Sequence, residues 1–174
     1  MTFMQSVFDT FNGYDLNKEE DLERLGKHIG ECIIEKNMVF KDIFHVPEEF
    51  MLKLHTLAYS LYEAGKYKIA CGVFNKLMML DPKSFTYALG AAVCLDELKE
   101  YPVAINFYGY AFLNNVEDPT PLYRAGECCL KMNDPTKAKQ FFEQAITVAG
   151  ELEPYKLLKV RSEIILKTLS EIKK

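Results

Sequence analysis

Small and large apolar residues recur along this chain at a fixed distance. Ala70, Ala104 and Ala138 lie 34 residues apart, and Phe74, Tyr108 and Phe142 keep the same register. Leu77, Ala111 and Ala145 form a further column. Earlier in each unit Leu54, Ala88 and Leu122 align, then Leu57, Ala91 and Ala125. Ala58, Ala92 and Gly126 follow, and after them Leu61, Leu95 and Cys129. The turns Gly65-Lys66-Tyr67, Lys99-Glu100-Tyr101 and Asn133-Asp134-Pro135 fall at one place in the unit, between two helices. Asp81-Pro82 closes the first unit, because proline cannot continue a helix, and Pro119 and Pro121 open the third. The pattern predicts three helix–turn–helix units over residues 51–84, 85–118 and 119–152, and self-similarity at this period is the mark of a repeat architecture.

A unit this short cannot bury its own apolar face, so neighbouring units must stack. The small column Ala58, Ala92, Gly126 predicts close approach of the first helices, and Ala70, Ala104, Ala138 does the same for the second. Phe74, Tyr108 and Phe142 fill the space between units, big beside small, as layers at native density require. These columns resemble the tetratricopeptide repeat (TPR). The resemblance implies an all-α fold, three TPR helix–turn–helix repeats forming a concave solenoid, with an N-terminal helical region and a C-terminal capping helix. Pro135 stands where an aromatic is usual, and Val116 where a proline is. A plain helical bundle with accidental periodicity is the alternative.

The flanks have their own patterns. Residues 1–18 carry Phe3, Val7, Phe8 and Phe11 without a strong helix signal, and are expected to be flexible or ordered by a partner. Residues 19–46 form an N-terminal helical region. Within Glu19 to Asn37, Leu22, Leu25, Ile29, Cys32 and Ile33 follow the 3.6-residue period, and Asn17 is a candidate cap with Glu20 three positions on. Gly26 and Gly30 lower helix propensity and are expected to permit close helix contact. Val39, Phe40, Ile43, Phe44 and Val46 make an apolar patch before Pro47. Residues 153–174 predict a closing helix from Pro154, with Tyr155, Leu158, Ile165, Leu169 and Ile172 inward and Lys156, Lys159, Arg161 and Lys167 toward water. Such a helix covers the last apolar face of a solenoid.

Composition narrows the function. The 174 residues are 49% hydrophobic and 26% charged, a globular balance. The net charge of −4 offers no basic surface to release counterions, so no nucleic-acid partner is expected. No apolar run approaches a membrane span, so stable membrane insertion is not expected. Met1 to Phe11 lacks a charged start followed by a long apolar core, and no secretory leader is expected. The five cysteines are odd in number and form no CxxC pair, which fits reduced, helix-packing thiols in a cytoplasm.

Chemistry is hard to place. His28, His45 and His55 sit in different elements, and His28 with Cys32 supplies only two metal ligands one turn apart. No GxSxG, HExxH, GxxxxGK[ST] or GxGxxG motif occurs. Glu19-Glu20-Asp21 and Glu48-Glu49 lie at helix starts, where carboxylates stabilise the positive dipole end. No enzyme, cofactor or metal is expected.

The TPR resemblance implies that the fifth, ninth and twelfth positions of each unit line the concave side. They are His55, Tyr59 and Tyr62; Leu89, Val93 and Asp96; and Tyr123, Glu127 and Leu130. Most are aromatic or aliphatic, whereas a surface that only faced water would be polar. These nine are the candidate peptide-binding residues, unless another part of the chain or a second copy covers them. Three segments, LHTLAYSLYEAGKYKIACGVFNKLMMLDP, YALGAAVCLDELKEYPVAINFYGYAFLNNVEDP and LYRAGECCLKMNDPTKAKQFFEQA, make the resemblance more specific. Residues 20–170 resemble the class II chaperones of type III secretion translocators, the SycD/LcrH-like group. The resemblance implies a bacterial cytoplasmic chaperone whose groove holds an extended, proline-bearing segment of hydrophobic translocator proteins. It also implies a homodimer through the N-terminal helical region, with Glu19 to Phe44 as candidate interface. Two other binding roles compete. A clamp for a terminal carboxylate needs Lys, Asn and Arg at set positions, where His55, Tyr59, Gly90 and Thr120 depart and Arg124 alone matches. A TPR scaffold or adaptor in another assembly is the second.

Overall fold

The computed structural model describes residues 13–15 and 17–172, and all regular elements among them are helical. The expectation for residues 1–18 therefore falls mostly outside the described residues. The helices are α1 (Glu19–Ile34), α2 (Phe40–Ile43), α3 (Glu48–Glu63), α4 (Tyr67–Leu80), α5 (Phe85–Glu97), α6 (Tyr101–Asn114), α7 (Thr120–Lys131), α8 (Pro135–Ala149) and α9 (Lys156–Ile172). A short 3₁₀ turn, Glu153–Tyr155, precedes α9. From α3 onward each helix packs on the next in sequence, a continuous stack of antiparallel pairs.

The stack follows the columns of small and large residues. Ala58, Ala70, Ala88, Ala91, Ala92, Ala104, Ala111, Ala138 and Ala145 are completely buried. Phe74, Tyr108 and Phe142 are buried beside them, one at each junction. At Gly126 a Cβ would stand 2.9 Å from the Phe142 ring, too close for any side chain without movement. The smallest residue thus sits where the largest approaches. α9 closes the array: Ile165 and Leu166 pack on Cys129, Ala138 and Phe142. The outer face of α9 is more apolar than its sequence suggests, since Leu157, Val160 and Ile164 are exposed with the charged residues. Cys71, Cys94, Cys128 and Cys129 are buried in the stack and Cys32 in α1. Burial pushes the thiols of Cys94 and Cys128 up to about 12 and raises those of Cys71 and Cys129.

The repeat is also written in the backbone. Gly65, Lys99 and Asn133 take left-handed φ values of 72°, 62° and 58°. In each case the residue's N–H donates to the carbonyl three back, and the next N–H donates to the carbonyl five back, from Lys66 to Leu61, Glu100 to Leu95 and Asp134 to Cys129. This is a Schellman ending, which satisfies the last carbonyls of the first helix while turning the chain into the second. Only the first unit uses glycine there; lysine and asparagine accept the strain in the others.

The N-terminal region joins the stack differently. Val39, Ile43 and Val46 are buried, and Phe44 and Val46 reach the core of the first repeat. The Lys41 ammonium lies 2.8 Å from the Asp81 carboxylate, whose hydrogen bond holds the lysine above its usual range. Lys83 donates to the backbone and side-chain oxygens of Asn37. These contacts tie the α1–α2 connection to the end of α4. Asn17 does not cap α1. The cap position is Lys18, and Asp15 instead accepts from the backbone and side-chain amides of Asn17. Nor do Gly26 and Gly30 mark a close contact, because nothing lies within 4 Å of the Cβ that either would carry.

Candidate peptide-binding groove

The first helices of the pairs, α3, α5 and α7, run along the concave side, and α9 continues their row. A cavity of about 300 Å³ opens between α3 and α5. Helix α3 supplies His55, Tyr59 and Tyr62; α5 supplies Thr86, Leu89, Gly90 and Val93; and the Phe74 ring forms the base. Apart from His55 and Thr86, the wall is apolar or aromatic. The rings brace one another. His55 meets Phe74 edge-on at 6.1 Å and lies 5.8 Å from Tyr87, and Tyr62 tilts against Tyr67 at 5.4 Å. Tyr59 stands 57% exposed at the rim, so the trough is open rather than sealed. Partial burial, and then the Glu97 charge, raise the Tyr62 hydroxyl above its ordinary pKa, which keeps it neutral in a water-poor wall.

Gly90 gives this cavity its depth. A Cβ at Gly90 would meet the Phe74 ring at 2.5 Å, so any side chain there would displace the base. Sequence reasoning noticed Gly90 only as a departure from a carboxylate clamp. The signal was available, because it lies one turn before the groove residue Val93 and one position after the groove residue Leu89.

A second cavity of about 340 Å³ lies between α7 and α9. Thr120, Tyr123, Arg124 and Glu127 face Tyr155, Leu158 and Arg161 across it. The Arg124 guanidinium donates to the Glu127 carboxylate at 3.1 Å. The Tyr123 ring rests edge-on against Phe142 at 5.5 Å, and burial raises its hydroxyl above the usual range. Tyr155 is half-buried in this wall, and Arg161 is exposed, as expected of a side chain turned to water, while bordering the cavity.

Of the nine candidate residues, His55, Tyr59, Tyr62, Leu89 and Val93 come together around the first cavity, and Tyr123 and Glu127 around the second. Asp96 and Leu130 line neither. Asp96 is only 7% exposed, and its carboxylate accepts from Lys131 at 2.5 Å. Its assignment to the groove surface is therefore corrected: a carboxylate this buried needs a paired cation, and α7 of the next repeat supplies one. The Lys131 ammonium also lies 5.4 Å from the centre of the Tyr101 ring. Leu130 is half-buried against Cys129 and Phe142. Among the described residues no group of three or more His, Cys, Asp or Glu side chains could hold a metal ion, and no helix is long and apolar enough to cross a membrane.

Stacked helix pairs with an open, largely apolar trough define a tetratricopeptide-repeat protein. Residues 120–151 match the tetratricopeptide repeat family model, and residues 48–111 match the model for subunit 3 of the anaphase-promoting complex, or cyclosome. The chaperone protein SicA of Salmonella typhimurium is 30% identical over 121 residues, covering 70% of this chain and 73% of SicA. The low calcium response locus protein H of Yersinia pestis is 26% identical over 124 residues, covering 71% and 74%. Among solved structures, the Yersinia enterocolitica translocator chaperone SycD, in complex with a peptide of the translocator YopD, superposes with a TM-score of 0.70 at 26% identity. That match covers 74% of this chain and 98% of SycD, which has also been solved as an alternative dimer. The chain belongs to the class II chaperones of type III secretion translocators.

Proposed function

We propose that this protein is a cytoplasmic chaperone that binds an extended, proline-containing segment of hydrophobic translocator proteins along its concave face. On this reading it keeps those proteins soluble and competent for secretion, and it acts by binding rather than by catalysis. The observation that carries the reading is the open cavity between α3 and α5, an aromatic and aliphatic trough on a chain of net charge −4. The SycD–YopD peptide complex, built on the same fold, supports it. Burying three aliphatic side chains of a guest contributes about 5–8 kcal/mol, at roughly 1.5–3 each. Ordering the guest costs about 1–2 kcal/mol per residue, less where proline has already stiffened it. The balance suits a grip that must later be released.

Exposed Leu22, Ile33 and Ile34 on α1 support a homodimer through the N-terminal helical region. Co-expression with a membrane-active translocator tests the main reading. The partner should move from the insoluble to the soluble fraction, and Leu89→Asp or Tyr62→Ala should abolish that rescue while circular dichroism stays unchanged. A soluble complex formed equally well by Leu89→Asp would remove the groove from the account. A scaffold, in contrast, would join an assembly without rescuing an insoluble partner.

A further inference from the structure

The two cavities of the concave face differ in chemistry. The one between α3 and α5 has no charged side chain in its wall. The one between α7 and α9 has three, Arg124, Arg161 and Glu127. Glu127 is already engaged by Arg124 at 3.1 Å. Arg161 makes no ion pair among the described residues, and its charge reaches the Tyr123 hydroxyl across the cavity. Among the side chains that line the hollow, positive charges thus exceed negative ones by one, on a protein whose net charge is −4. Tyr123, Tyr155 and Leu158 border the hollow, while Arg124 and Arg161 stay exposed and open to a guest. Asp118 lies outside the lining, on the Tyr155 side; it accepts from the Thr120 N–H at 2.8 Å and keeps its negative charge there.

We propose that the α7–α9 cavity is a carboxylate subsite. Arg161, with Arg124 across the cavity, takes an acidic group of the same extended guest whose apolar residues fill the α3–α5 cavity. This rests on the groove reading above and adds a charge requirement to it. A guanidinium suits the task because its planar fork matches a carboxylate. The spacing follows from the fold. The cavities are two helix steps apart, about 16–20 Å at the usual interaxial distance of 8–10 Å. An extended chain covers that in roughly five or six residues. The recognised segment is therefore an apolar, proline-bearing stretch with an acidic residue about five or six positions away.

Fluorescence anisotropy with synthetic peptides tests this on the full-length protein. Each peptide carries proline and leucine anchors, blocked termini, and Glu, Gln or Lys placed about six residues before or after the anchors. A matched Gln set ends in a free carboxylate, which separates an acidic side chain from a chain end. In one of the two placements Glu should bind about tenfold tighter than Gln, and Lys weaker than either. Arg161→Gln should erase the difference, and Arg161→Glu should invert it in favour of Lys. A gain seen only with the free terminus, and lost in Arg161→Gln, supports the subsite and assigns its ligand to a chain end. Equal affinity for all peptides, or a Glu preference that survives Arg161→Gln, overturns the subsite and leaves the groove reading standing. No binding of any peptide overturns both.

Discussion

Helices α3 to α8 bury apolar residues against neighbours on two sides, even though Leu52, Ile69 and Leu113 among them stay exposed, whereas α1 buries only Leu25 and Cys32 and presents Leu22, Ile33 and Ile34 to solvent. α1 is the more regular amphipath, while α5 and α6 are apolar around most of their circumference. Amphipathicity alone therefore does not tell how well a helix is buried. In the stack, each unit's apolar surface is the next unit's wall, so burial is reciprocal and α9 ends the series. α1 has Leu25 and Cys32 turned inward, and its Gly26 and Gly30 face no neighbour. Burial is concentrated in the junctions between repeats, and α1 leaves an apolar strip uncovered.

Substitutions can break or sharpen that contrast. The largest effect is expected for Phe142→Ala, which empties the junction between α7, α8 and α9; denaturant unfolding should show a loss of about 3–5 kcal/mol. A loss below about 1 kcal/mol would mean that the junctions are not where the stability lies. Tyr108 has a buried hydroxyl with no hydrogen-bond partner among the described residues, and burial pushes its pKa well up. Tyr108→Phe keeps the ring and removes an unsatisfied polar group, so it should stabilise by about 1 kcal/mol, read as a melting rise of roughly 2–4 °C. Destabilisation instead would reveal a hydrogen bond to this hydroxyl. Asn133→Gly relieves a left-handed residue at the turn of the third unit and should stabilise by somewhat under about 1 kcal/mol. Gly65→Asn, the opposite change at the equivalent turn of the first unit, should destabilise by a similar amount. The smallest change in stability, under about 0.5 kcal/mol, is expected for Leu22→Lys with Ile33→Lys on α1. The same pair should lower the sedimentation coefficient by dispersing a dimer. Unchanged sedimentation would remove α1 from the interface, and a large drop in melting temperature would erase the distinction between the regions.

The stack was legible because burial here is periodic. A residue such as Ala104 or Phe142 repeats its environment every 34 positions, so register alone locates it. The turns were legible for the same reason, although their left-handed backbone at Lys99 and Asn133 was not, since neither residue demands it. What the pattern could not reveal were contacts made once. Asp96 finds Lys131 35 residues away on the next repeat, and a groove position turns into a buried ion pair. Asp15 draws off Asn17 before it can cap α1. Tyr155, in the 3₁₀ turn, and Arg161, on α9, lie outside the repeat, so no column predicted that they would line a cavity with α7.

The sealed thiols have a practical consequence. Cys71, Cys94, Cys128 and Cys129 sit on α4, α5 and α7, shielded from solvent and held protonated by their surroundings. A protonated, covered sulfur is a poor nucleophile, so alkylating reagents should modify these positions only when a helix pair springs apart. The chain thus carries its own set of timers, and the order in which mass spectrometry finds them labelled would record which repeat opens first and whether a bound guest slows the clock.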